Sequence, residues 1–424
     1  MTKLSYISTS SKTGNTNAQI SLDESIGAMV FDISGFSDPF SGYAKLYSNF
    51  KGGAVQSVNN MDEASMLGIE DNGFLNGMVY YHLSQFYKFI GGNQTVYIAF
   101  ADFSDDWGAL MDIKQQAGGR LFHIGIWTSQ PLWKLKDDGT LGFTSLITDI
   151  QLQADRINGK IGESTPSATP LSFILFANSF YIGGDPVSYK KLPDAISLDC
   201  PKVSVVLAQN GSAEVHSMQA NNPNNAPISS IGLVLACLAL SGAEESIAAV
   251  KRFDLNKNEQ FNNPELCIYT DNTPYKNVSK YWINLLSVMG YITPISYDGL
   301  EASYFLSSDQ TLSDGDYCSI SNNRVIHKCR RAINIALRPY INADIEYSTT
   351  TGRISDIEAD TIVNKIYTII DTALKNKLGY PQISDRHISI MDNAKMFEND
   401  ELLIEYSVVP ANYSSAITEE VSIG

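Results

Sequence analysis

Apolar residues in this chain come in short runs that alternate, through the first half, with stretches of helical spacing. The runs TVYIAFADF (95–103), RLFHIGIW (120–127), PLSFILFAN (170–178) and KVSVVLAQ (202–209) are of strand length and rich in β-branched or aromatic residues. Helical stretches at Asp106–Ala117 and about Leu146–Asn158 separate the first three. Strand, helix, strand in this order marks βαβ units, whose strands are buried on both faces and therefore read as near-continuous apolar runs. The predicted fold class is α/β: a mixed, largely parallel sheet core flanked by helices. Upstream, GAMVFDISGF predicts a strand beginning near Ile26 and ended by Gly35 and Pro39, and Tyr80–Ile90 predicts an aromatic-rich helix.

Past residue 209 the pattern turns helical. Helices are predicted at Ile228–Leu240 and Glu244–Phe253; the run Ile231–Leu240 is about half the length that spans a bilayer, so it predicts a buried helix and no membrane insertion. Asn256–Lys276, rich in Asn, Pro and Glu, reads as a connection or surface insertion. SKYWINLLSVMGYITPISYDGL then predicts a helix followed by a strand. In Asp356–Leu378, Ile362, Val363, Ile366, Ile369, Ile370 and Leu374 recur at helical spacing, with Gly379 and Pro381 as stop signals. Strands His387–Met391 and Glu401–Val409 follow. The domain organisation read from this is an arm (1–22), an α/β region (23–255), the connection (256–276), a C-terminal α+β unit (277–412) and a last arm strand (413–424).

The two arms are recognised by what they lack. Residues 1–22 are rich in Ser, Thr, Asn and Lys, with Leu4, Tyr6 and Ile7 as a small apolar cluster, too little to build a core. In 417–423, Ile417, Val421 and Ile423 fall on one face, interrupted by Glu419, and Thr418, Glu420 and Ser422 on the other. A terminal strand of this kind needs a sheet edge, either in its own subunit or, by strand addition, in a neighbour.

Thr311–Pro339 has the most informative pattern. Asp316 or Ser321 is a candidate N-cap and Pro339 a stop. At about 100° per residue, Arg324, Lys328, Arg331 and Arg338 fall within roughly 80° of one another, opposite Val325, Ile326, Cys329, Ile333, Ala336 and Leu337. No acid lies between Ile320 and Ile341, although the chain carries 46 acidic and 30 basic residues. The predicted helix packs one face and presents cations on the other, to a negative partner or simply to water.

Charge and motif content narrow the function. A net charge of −16 opposes direct binding to nucleic acid. Five cysteines without a CxxC spacing read as reduced, mostly buried thiols, and MTKLSYISTSSKTGNTNAQ lacks the apolar core of a signal peptide, so assembly in the cytoplasm is expected. No phosphate-binding loop, dinucleotide fingerprint or nucleophile elbow is present, the five histidines have no metal-ligand spacing, and no cofactor is expected. Asp102, Asp105 and Asp106 end the strand that starts at Thr95, where α/β enzymes place their sites; a Mg²⁺-dependent hydrolase is the chemistry they would serve. The favoured reading is that Ser104 or Asp105 caps a helix starting at Asp106, because no second polar constellation accompanies the cluster.

The order of segments resembles the sheath proteins of contractile phage tails and bacterial contractile injection systems. The resemblance covers most of 25–424 and rests on YDGLEASYFLSSDQTLSDGDYCSISNNRVIHKCRRAINIALRPYIN, the helix ending at Leu378, and ELLIEYSVVPANYSSAITEEVSIG, with YIAFADFSDDWGALMDIKQQAGGRLFHIGIWTSQ upstream. It implies a non-enzymatic subunit that polymerises as stacked, usually six-membered rings around an inner tube protein and contracts to drive the tube through an envelope. Baseplate and terminator proteins would sit at the ends, within a phage virion or injection particle; a baseplate or terminator subunit is the alternative. It further implies that the terminal arms, here Leu4, Tyr6 and Ile7 and Ile417, Val421 and Ile423, pair with sheets of adjacent subunits. Arg324, Lys328, Arg331 and Arg338 would then face the tube or a neighbouring ring.

Overall fold

Strands that are apolar on both sides assemble into one twisted sheet with helices on each face. The computed structural model describes residues 22–104, 107–158, 169–170, 172–176, 181–182, 189–222, 225–267, 273–300, 302–341, 343–346, 351–375, 381–390, 402 and 404–411. The sheet contains β1 (Gly27–Asp32), β2 (Gln56–Val58), β3 (Val96–Ala101), β4 (His123–Trp127), β7 (Ser172–Phe176), β9 (Val203–Val206) and β12 (Tyr291–Ile292), in the order β12-β9-β7-β4-β1-β3-β2. Neighbours are parallel except β2 against β3 at the edge. The predicted fold class holds, and each of the four apolar runs of the first half contains one of these strands.

Both faces are buried because each strand alternates its side chains between two cores. Ala28 and Val30 of β1 join Tyr97 and Ala99 of β3 on one side, against α4 (Ala109–Gln116), α5 (Leu146–Asn158) and α8 (Lys280–Val288). Met29 and Phe31 join Ile98 and Phe100 on the other, against α1 (Ala44–Phe50), α2 (Met61–Met66), α3 (Leu75–Ile90), α6 (Ala213–Ala220) and α7 (Ile231–Leu240). At the α3–α7 contact a Cβ on Gly232 would lie 2.1 Å from the carbonyl oxygen of His82, so only glycine permits this approach. The His82 ring is fully buried there with Nε2 3.0 Å from the Ile228 carbonyl, and burial lowers its pKa to about 3.

Short strands ornament the sheet: β5 (Trp133–Leu135) between β6 (Leu141–Phe143) and β8 (Tyr181–Ile182), the pair β10 (Glu265–Leu266) and β11 (Thr273–Pro274), and the pair β13 (Pro294–Ile295) and β14 (Phe305–Leu306). A third core lies apart from the sheet. It is built by α9 (Ile320–Leu337), α10 (Asp356–Ile370) and the antiparallel pair β15 (Ile383–Ile390) and β16 (Ile404–Pro410). Val325, Cys329, Ala332 and Ala336 of α9 meet Ile362, Ile366 and Ile370 of α10, with Ile383 and Ile388 of β15 closing the layer.

The structure corrects several sequence expectations. Residues 244–252 form successive turns and no helix, because the Ser246 hydroxyl accepts from the Ala248 amide and Glu245 accepts from the Gly242 amide, local bonds that compete with helix formation. Segment 256–276 is no mere surface insertion: Phe261, Leu266 and Cys267 are buried, and Glu265 bridges to Gln209. Packing does not change at residue 277, since α8 and β12 belong to the main sheet and α9 joins the third core from Val325 onward. The long helix is regular only to Ile370 and passes into a π-type turn at Asp371–Lys375.

Candidate functional site

Helix α9 is where the cations sit, and it is not a surface. Ser319, in extended backbone, caps it by accepting from the Asn322 amide at 3.0 Å. Neither predicted cap does so; Ser321 lies inside the helix and donates its hydroxyl to Asp309. Arg324 and Arg331 have no exposed surface and Lys328 is 3% exposed, so the expectation that this face presents cations is overturned; Arg338 alone of the four is exposed. In this fold Arg324, Lys328 and Arg331 lie inside the subunit.

Their burial has a physical reason: each cation meets several oxygens held in place by the fold. Helix α7 ends at Leu240, and the Arg324 guanidinium donates to the carbonyls of Leu238, Ser241 and Gly242 and to the Ser241 hydroxyl, a cation placed on the negative end of that helix. It also reaches the Glu24 carbonyl at 3.1 Å. Arg331 donates to the carbonyls of Gly119, Leu121 and Pro170, in the segments that lead into β4 and β7, and stacks its guanidinium 3.8 Å from the Phe122 ring centre. Arg330 donates to the Asn158 carbonyl and Lys114 of α4 to that of Ile157, so two more cations close the C-terminus of α5.

Burial makes these cations easier to deprotonate. It pulls the Arg331 guanidinium down to about 9 and the Lys114 ammonium to about 7, the latter helped by the neighbouring Arg331 and Arg330. His327, buried beside Lys202, Arg330, Arg331 and Lys114, is driven well below its ordinary value, first by burial and then by those charges.

Lys328 closes a different contact. Its ammonium lies 2.7 Å from Glu24 Oε2 and 2.8 Å from Gln382 Oε1, while Gln382 Nε2 donates to Glu24 Oε1 at 2.9 Å. Gln382 is fully buried and Glu24 is 6% exposed. Sequence reading missed both partners, because they lie 304 and 54 positions from Lys328 and carry no local pattern.

Beside this cluster stands the β15–β16 sheet, which among the described residues has two strands. Ile388, Ile404, Tyr406 and Val408 pack toward α9 and α10, whereas Glu405, Ser407 and Val409 face out. The arm residues Leu4, Tyr6, Ile7, Ile417, Val421 and Ile423 lie outside the described residues, as do Asp105 and Asp106. Asp102 is exposed and accepts from Ser104, which holds its carboxyl below the usual range. The helix that follows starts at Ala109 with Gly108 at its N-cap position and no side-chain cap. Among the described residues no group of three or more His, Cys, Asp or Glu is placed to hold a metal ion, and no helix is long and apolar enough to cross a membrane.

No protein-family model matches the chain, and no curated protein matches it in sequence. Solved structures match it from end to end. The sheath complex of the PVC extracellular contractile injection system in its contracted state superposes with a TM-score of 0.58 over 100% of this chain and 98% of that one, at 11% identity. A chain of the anti-feeding prophage baseplate gives 0.54 over 100% of both chains at 9% identity. The helical sheath of the anti-feeding prophage in its contracted state gives 0.53 over 99% of both at 12% identity. The chain thus has the fold of contractile injection system sheath proteins.

Proposed function

We propose that this chain is a structural, non-enzymatic subunit of a contractile tail sheath. It polymerises as stacked six-membered rings around an inner tube protein, is assembled in the cytoplasm, and contracts to drive the tube through a target envelope. The observation that carries this reading is the full-length match in fold to sheath structures. Supporting it, β15 and β16 pair antiparallel in a sheet that has two strands among the described residues, and strands donated by neighbouring subunits extend it. The arms containing Leu4, Tyr6 and Ile7, and Ile417, Val421 and Ile423, are the proposed donors. Each added backbone hydrogen bond is worth only about 0.5–1.5 kcal/mol net, but a mesh repeats it in every subunit. Baseplate and terminator proteins are the partners at the two ends.

Electron microscopy of the full chain tests this directly: long tubes are expected. Truncation from Ser415 onward should leave a folded monomer that forms none, and tubes of normal length from that truncation would return the last strand to its own subunit. The likeness to a baseplate chain favours a second reading, a baseplate subunit; single rings in place of tubes would select it.

A further inference from the structure

The Glu24–Lys328–Gln382 cluster sits where both ends of the described chain meet. Glu24 lies two residues after the first described residue, in the turn before β1, and its side-chain oxygens are both engaged, one by Lys328 and one by Gln382. Gln382 opens β15. Its amide donates to the Leu374 carbonyl at the end of the long helix, and its carbonyl accepts from the amide of Ala411, the last described residue, at 3.1 Å. Leu22 packs against the same third core. One fully buried glutamine therefore holds the C-terminal root through its backbone and the N-terminal root through its side chain. Lys328 of α9 bridges the two side chains.

We propose that this cluster is a mechanical junction that couples the two chain ends, so that releasing the N-terminal root also releases the C-terminal root. A closed ring of three polar contacts in a low-dielectric interior is cooperative: withdrawing the carboxylate takes a negative charge from beside a buried ammonium and a partner from the Gln382 amide at once. The cost is relieved by letting Lys328 and Gln382 turn toward water, and Gln382 cannot move without disturbing the bonds of its own backbone to Leu374 and Ala411. The coupling is a property of the subunit and does not depend on the sheath reading.

Hydrogen–deuterium exchange on the full chain tests it. Glu24→Gln keeps the size of the side chain and removes its charge. It should speed exchange in peptides covering Gln382 and Ala411 by about tenfold or more, while peptides from β1 and β3 exchange as in the parent chain. Should Glu24→Gln fail to fold, Glu24→Asp, which retracts the carboxylate by one methylene, provides the same readout with a smaller change. Unchanged exchange at Gln382 and Ala411 in a folded variant whose Glu24 peptide does exchange faster would overturn the junction, because the two roots would then open independently.

Discussion

Helices α7 and α9 both lie buried, and they reach burial by opposite chemistry. Helix α7, IGLVLACLAL, carries no charged side chain and packs its whole first two turns against β1, β4 and α3. Helix α9 carries Arg324, Lys328 and Arg331 into an equally dry interior. The transfer of apolar surface suffices for the first. For the second, desolvating three cations is tolerable only because their donors meet oxygens: backbone carbonyls for Arg324 and Arg331, and the side chains of Glu24 and Gln382 for Lys328. The two helices are also linked, since Arg324 of α9 completes the C-terminus of α7. An apolar helix can be covered by any apolar neighbour, whereas a helix such as α9 fixes which elements it must touch.

The sharpest way to break this comparison is to remove the donors. Arg324→Leu removes the guanidinium bonds to the carbonyls of Leu238, Ser241, Gly242 and Glu24 and is expected to cost about 3–5 kcal/mol in urea unfolding. Arg324→Lys should recover little of this, because a single ammonium cannot serve the set that the forked guanidinium spans. On the apolar side, Leu235→Ala in α7 should cost about 3 kcal/mol through the cavity it leaves. If Arg324→Leu proves milder than Leu235→Ala, carbonyl satisfaction is not what holds α9.

Acid offers a graded probe of the α3–α7 contact. The folded pKa of His82 lies near 3, below the unfolded value of about 6.5, so below pH 6.5 the unfolded chain binds a proton that the folded chain refuses. Its contribution to stability is fully present above pH 6.5 and falls by about 1.4 kcal/mol per pH unit down to about pH 3. His123 and His327, shifted the same way by burial, add to the slope. Urea midpoints measured from pH 7 to 4.5 should fall accordingly, and His82→Phe should make that fall shallower; an identical slope in the variant rejects the assignment.

Smaller effects complete the series. Ser319→Ala removes the cap of α9 and should cost about 1 kcal/mol. Arg338→Ala, on the same stripe but exposed, should stay within about 0.5 kcal/mol of the parent chain. A cost for Arg338 as large as that for Arg324 would mean that position on the stripe, and not burial, sets the energetics.

Much of the main sheet was legible because its strands are buried on both faces, and a run such as VYIAFA has no other good place to go. Helix α5 matched its predicted limits because its apolar residues repeat at helical spacing. The turns at 244–252 were not legible: side-chain bonds from Ser246 and Glu245 win over helix propensity only in the context of a surrounding core. In α9 the pattern was read correctly and its meaning was not. A cationic stripe looks the same in sequence whether water or carbonyl groups face it, and those carbonyl groups come from positions 119–121, 170 and 238–242.

Sequence by itself determined the strongest periodicities: the apolar runs that become strands of the main sheet, the helical spacing of α5, and that one helix gathers cations free of acids. Only the tertiary structure decided that those cations turn inward, because the ends of α5 and α7, the approaches to β4 and β7, and Glu24 and Gln382 are brought to α9 by folding alone. Hydrogen-bond satisfaction is set by neighbours in space, and for Lys328 those neighbours lie 304 and 54 residues away along the chain.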